Sequence, residues 1–163
     1  MPLRAIRADA CGAERPLRIS LLPGGVQVSP PATMVCPMAE ALGRWTADAL
    51  IPEARRLLDR RPLRLVVGTS YECRGQNRAA GVRLSEHGFA NAVDIMGVAF
   101  DGDRPYTVAP LSRETLDGRF QTEIQAHACA YFGTVLGPGS DASHSDHLHF
   151  DMRGRKGAFR ICQ

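Results

Sequence analysis

Along these 163 residues, regular patterns of apolar and polar positions alternate with stretches rich in Gly and Pro. Residues 12–35 carry Pro16, Gly24, Gly25 and the pair Pro30–Pro31, which predicts an extended arm with at most short strands. The text changes at Met38. Ala41, Leu42, Trp45, Ala49, Leu50, Ala54 and Leu57 recur at helical spacing, with Arg44, Asp48, Glu53 and Arg56 on the other faces. This predicts a long amphipathic helix to about Arg60, kinked or broken at Pro52. Leu63–Val67 reads as a buried strand ending at Gly68, and Ala92–Phe100 as a second. Asp101-Gly102-Asp103 is a hairpin signal, with Tyr106–Ala109 as the partner strand. Phe120, Ile124, Ala128 and Phe132 repeat every four residues and predict a helix over 120–132. After Gly137-Pro138-Gly139, His147–Met152 reads as a final strand. Helices mixed with antiparallel strands point to an α+β fold, with residues 1–35 as an extended N-terminal arm and 36–163 as one domain.

Composition narrows the function classes. Apolar residues are 44% and charged residues 23% of the chain, the balance of an ordinary folded domain. Twenty basic against 17 acidic residues leave a net charge of only +3, and no aromatic-interleaved basic stripe accompanies it. Nucleic acid is therefore not an expected partner. No apolar run reaches the roughly 18–20 residues of a membrane span, so none is expected in this chain. The N-terminal residues lack the apolar block of a signal peptide, so the chain reads as cytosolic or as a mature, trimmed form. Five scattered cysteines favour the second reading: Cys11, Cys36, Cys73, Cys129 and Cys162 contain no C-x-x-C pair. They predict two disulfides and one unpaired thiol, with pairing left open, in a periplasmic or secreted protein.

Four of the five histidines fall in two short segments, residues 85–94 and 144–151. On a strand, His147, His149 and Asp151 share one face, while Leu148 and Phe150 share the other. Two imidazoles and a carboxylate can then face a cleft while the apolar pair packs inward. Asp94 interrupts the apolar run Ala92-Val93-Ile95-Met96, so its carboxylate must be solvated, hydrogen-bonded or bound to a metal. His87 precedes it by seven residues, followed by Gly88, expected to let the backbone approach a ligand. Together these segments offer two imidazoles and one carboxylate as ligands, with a fourth position open to water, the arrangement of catalytic zinc. A solvated strand face is the simpler alternative for either segment alone. Cys73 beside Arg74 would be a nucleophile only if it were reduced and paired with a base. Glu86 reads as a neighbour that points away from the ligands.

These segments resemble a known group. SEHGFANAVD resembles the S-x-H-x-x-G-x-A-x-D motif of the zinc peptidases that group D-Ala-D-Ala carboxypeptidases, penicillin-insensitive murein endopeptidases and the hedgehog domain, with Gly88 shifted to follow the histidine directly. More widely, an early CG, SYECR, SEHGFANAVDI, AC-x-x-F, LGPGSD, H-x-x-H-x-H-x-D and a terminal IC resemble the bacterial extensin-like C-terminal domain family across nearly the whole chain.

The resemblance implies a small antiparallel sheet flanked by helices, of the hedgehog and D-Ala-D-Ala peptidase type, over residues 36–163. It implies zinc as cofactor, with ligands His87, Asp94 and His149, and a peptidoglycan peptide as substrate. Arg74, with Asn77 and His144, would bind that substrate; a structural salt bridge is the alternative for Arg74. The carboxypeptidases of this group carry a glutamate base three residues before the last ligand, and here that position is Asp146. His147 is therefore expected as the base or transition-state stabiliser, with Asp146 second. The expected activity is hydrolysis of an amide bond, endopeptidase or carboxypeptidase in type. The alternative is a catalytically silent zinc-bearing module that binds the cell wall.

Overall fold

A computed structural model describes residues 1–78, 81–102 and 104–163, together with the backbone but not the side chain of Arg78. Among the described residues the strands are β1 (Ile6–Ala8), β2 (Cys11–Ala13), β3 (Pro16–Leu22), β4 (Val26–Val35), β5 (Pro62–Val67), β6 (Ala92–Phe100), β7 (Tyr106–Thr107), β8 (Thr134–Leu136), β9 (Leu148–Asp151) and β10 (Ile161–Cys162). β1 and β2 form a hairpin of their own. The others form one sheet in the order β10-β8-β9-β6-β5-β4-β3, with β7 added against β6. The chain is thus α+β. Its sheet is larger than the small antiparallel one expected, and it is mixed: β4 with β5 and β8 with β10 run parallel. Parallel neighbours need a long crossover, and a helical run provides it between β4 and β5.

The first 35 residues are extended but are not confined to short strands. β3 and β4, of seven and ten residues, pair from Pro16↔Val35 to Ile19↔Ala32 and again from Leu21↔Gln27. Pro30 and Pro31 fall where that register shifts, so no rung of the β3 ladder needs their missing N–H groups. Proline content misled the sequence reading here because it gives no view of register.

The predicted long helix is present and Pro52 does not break it. Helical backbone runs through α1 (Cys36–Trp45), a π turn at Thr46–Leu50, α2 (Ile51–Glu53) and a second π turn at Ala54–Leu58, stopping at left-handed Asp59. The wide turn, closed by the Ile51 N–H donating to the Thr46 carbonyl, lies directly before the proline and makes room for its ring. α3 (Leu116–Ala128) starts four residues earlier than expected. Thr115 caps it by accepting from the Gly118 N–H at 3.0 Å. Phe132 lies beyond the helix end, though it is buried as its spacing implied.

These helices and one sheet face enclose the core. Trp45, Leu42, Leu50 and Phe120 are fully buried with Leu65, Val93, Leu148 and Phe150. Phe150 stacks on Phe132 at 4.6 Å and meets Trp45 edge-on at 5.2 Å. The Trp45 indole N–H donates to the Ile124 carbonyl at 2.9 Å, pinning the first helical run to α3. Asp94 and His149 alternate with core residues, so they project from the opposite sheet face. A register shift where Val66 faces Gly97 but Val67 faces Ile95 leaves Met96 as an extra residue in β6. This bulge lets Val93 and Ile95 face the core on one side of it and Val98 and Phe100 on the other. The Asp101–Asp103 turn signal includes Asp103, outside the described residues, but β7 pairs with β6 as expected.

Two disulfides form, Cys11–Cys73 and Cys129–Cys162, and Cys36 is a free, exposed thiol. The first ties the β1–β2 hairpin to the segment after β5, and the second ties the end of α3 to β10.

Candidate metal centre

Asp94 on β6 stands directly opposite His149 on β9 in an antiparallel pair. His87 reaches the same point from a short 3-10 turn, Glu86–Phe89, capped by Ser85 Oγ, which accepts from the His87 N–H at 3.4 Å. The Ala90 carbonyl accepts from Val35 N–H at 2.9 Å, anchoring the turn to β4. Three donor atoms converge. His87 Nε2 lies 3.1 Å from Asp94 Oδ1 and 3.2 Å from His149 Nδ1, and His149 Nδ1 lies 3.0 Å from Asp94 Oδ1. The relative exposures of the three residues are 0%, 6% and 8%.

The other nitrogen of each ligand imidazole is already committed. His87 Nδ1–H donates to the Ser70 carbonyl at 3.2 Å, and His149 Nε2–H donates to Asp151 Oδ2 at 3.1 Å. Each ring is thereby held with its remaining nitrogen aimed at the triangle, the usual support of a metal-binding histidine. Bonds of about 2.0–2.2 Å at tetrahedral angles set donor atoms roughly 3.3–3.5 Å apart, so the triangle would open only slightly to receive an ion. Two imidazoles and a carboxylate are donors that suit zinc, and among the described residues this trio has ligand atoms close enough together to share one ion.

Electrostatics fit a cation at the same point. Burial opposes ionisation of Asp94, but hydrogen bonds and charge from His149 and His87 outweigh it and hold the carboxyl well below the usual range. Burial likewise disfavours the charge on His149, yet Asp151 and Asp94 push its pKa up to about 9. Burial also opposes the Asp151 charge, while His149 and Thr134 keep that carboxyl low.

The triad lies in a cleft of about 740 Å³ that all eight residues singled out from the sequence line. His147 presents Nε2 3.7 Å from Asp94 Oδ1, while its Nδ1–H donates to Asp146 Oδ1 at 2.9 Å. The Asp146 side chain is 72% exposed and turned towards His147. His144 is buried beside them, its Nδ1–H shared by the two Asp141 oxygens at 2.8 and 2.9 Å. Arg74 donates through Nε to Glu72 at 2.8 Å, with Nη2 4.0 Å from Asp94 Oδ2. Asn77 is exposed at the rim in a left-handed conformation.

Residues 2–163 match the family described as Extensin-like protein C-terminus. The chain belongs to this family. No curated protein and no solved structure matches it.

Two features of this extensin-like site were misread or missed. At Gly88, expected to let the backbone approach a ligand, a Cβ would meet Cys11 Sγ at 2.8 Å, so its bareness admits the Cys11–Cys73 disulfide. Cys73 is therefore bridged and is no nucleophile. Asp151 was visible on the His149 face but carried no assigned role, and its contact with His149 supplies one. Glu86 accepts from Asn91 Nδ2 at 2.7 Å.

Proposed function

We propose that this chain is a zinc-dependent hydrolase that cleaves an amide bond in peptidoglycan peptides, in the periplasm or outside the cell. The observation that carries the reading is the convergence of His87 Nε2, Asp94 Oδ1 and His149 Nδ1 within 3.0–3.2 Å of one another in an open cleft. Zinc held there supplies Lewis acidity and lowers the pKa of water towards about 7. His147 accepts the proton of the attacking water at Nε2, because Nδ1–H is committed to Asp146, and returns it to the leaving amine. Arg74, its guanidinium steadied by Glu72, offers a planar fork to a peptide carbonyl or carboxylate. His144 and Asn77 line the substrate's path.

The substrate class follows the resemblance of SEHGFANAVD and the later H-x-H to the D-Ala-D-Ala and murein peptidases, and we extend their fold type to this chain with it. Two disulfides suit an oxidising compartment, and no helix among the described residues is long and apolar enough to cross a membrane.

A second reading is a zinc-bearing wall-binding module without turnover. The aspartate at position 146, in place of a glutamate base, favours it. Digestion of sacculi by zinc-loaded protein, with muropeptides profiled beside a His87→Ala control, separates the two. New fragments released only by the unmutated protein support the hydrolase. Identical profiles, with protein still sedimenting on sacculi, support the binding module.

A further inference from the structure

We infer that Arg153 is a specificity residue that binds a substrate carboxylate in the cleft that holds the metal centre. This rests on the hydrolase reading above and adds to it the charge the substrate must carry.

Charge is matched along most of the cleft wall. Asp141 and Asp146 each accept from a histidine, Glu86 accepts from Asn91, and Asp151 accepts from His149 and from the Arg153 backbone N–H at 3.0 Å. Arg74 is paired with Glu72. Arg155 is spent on structure, donating from Nη1 to the Gly133 carbonyl and from Nη2 to Thr134 Oγ1, both at 2.7 Å. Arg153 differs. It lines the cleft, it is half-buried, and among the described residues its guanidinium has no hydrogen-bond or ion-pair partner.

Its backbone is nevertheless fixed. The N–H is held by Asp151, and Gly133 packs so closely that a Cβ there would meet the Arg153 carbonyl oxygen at 2.5 Å. Arg153 follows β9, the strand of His149, and Arg74 follows β5, which pairs with the other edge of β6; both line the cleft that holds the triad. A half-buried guanidinium on a fixed backbone gains most from a planar anion that takes its fork of N–H donors. A carboxylate is the anion that a peptide brings. A peptide bound in the cleft would then present a carboxylate to Arg153.

The test uses zinc-loaded protein and alkyl hydroxamates ending in a carboxylate, against matching hydroxamates ending in a carboxamide, over a ladder of chain lengths. Affinities are read by calorimetry. Unmutated protein should prefer the carboxylate at one chain length by roughly tenfold or more, as for a hydrogen bond to a charged group. Arg153→Met should abolish that preference and leave carboxamide affinity and zinc content unchanged, while Arg153→Lys keeps part of it. No preference in unmutated protein, or a preference that survives in Arg153→Met and falls only in Arg74→Met, overturns the inference. So does loss of zinc in Arg153→Met, which would make the residue structural. Failure of unmutated protein to take up zinc, read separately by metal analysis, overturns the hydrolase reading as well.

Discussion

Asp151 lies two residues after His149 on β9, and its Oδ2 accepts from His149 Nε2 at 3.1 Å. Strand alternation puts both on the cleft face with Phe150 between them in the core, so the packing that buries Phe150 also aims the imidazole. The support continues outward. Thr134 hydrogen-bonds Asp151, and Arg155 donates to Thr134 Oγ1.

Asp151→Asn should weaken zinc binding by about 10- to 100-fold, the usual cost of removing the partner that orients a ligand histidine. Competition with a chromophoric chelator measures it. Affinity equal to that of the unmutated protein would mean that the His149 ring is held by packing alone.

Zinc uptake at neutral pH should release about one proton. In the metal-free protein the His149 pKa is pushed up to about 9, so the ring is charged at pH 7, whereas a ligand imidazole must be neutral. Asp94 is already ionised and contributes no proton. The His149 proton alone should therefore make apparent affinity rise about tenfold per pH unit up to about pH 9, where that contribution levels off. The metal-free fold should show the opposite trend. The His149 charge stabilises it fully below the ordinary value of 6.5, and that contribution disappears as pH rises through about 9. Calorimetry in buffers of different ionisation enthalpy reads the proton, and thermal melts with and without zinc read the stability.

What the sequence made legible follows from periodicity. The interrupted apolar run at Asp94 and the alternation across His147–Asp151 put the right side chains on one face before any coordinates. Ala92–Phe100 was legible in full because its apolar run is long. β8 and β10, of three and two residues, are too short to show a period, and they are strands only through their neighbours. The hairpin signal and the helical spacing are local chemistry; the β3–β4 register and the disulfide pairing depend on contacts between distant residues. Gly88 shows the limit best. Its need for a bare Cα is set by a cysteine 77 positions earlier, a relation that no local window contains.

Gly88→Ala should lower stability by about 1–3 kcal/mol, the cost of overpacking, because the new methyl would sit 2.8 Å from Cys11 Sγ. The strain falls on the turn that carries His87, so zinc affinity should drop with it. Combining Gly88→Ala with Cys11→Ala and Cys73→Ala should cost less than the sum of the separate changes, since the clash is gone once the sulfur is removed. Chemical denaturation of the four proteins closes that cycle; strict additivity would place the strain elsewhere.

His147 and Asp146 compete for the role of base, and their geometry favours His147. Its Nδ1–H donates to Asp146, which leaves Nε2 as the accepting atom, 3.7 Å from Asp94 Oδ1 and so beside the donor triangle. Asp146 is mostly exposed and oriented towards the outer nitrogen of the same ring. A general base contributes about 10²–10⁴-fold to rate. His147→Ala should therefore lower kcat by that factor on any muropeptide the protein cleaves, with zinc content unchanged. Asp146→Asn should cost less than that, since the amide oxygen can still accept from the His147 Nδ1–H and hold the ring. The reverse order, with Asp146→Asn the more damaging and His147→Ala mild, would assign the proton transfer to the carboxylate. Equal zinc occupancy in both variants, checked by metal analysis, is what lets the rates decide between them.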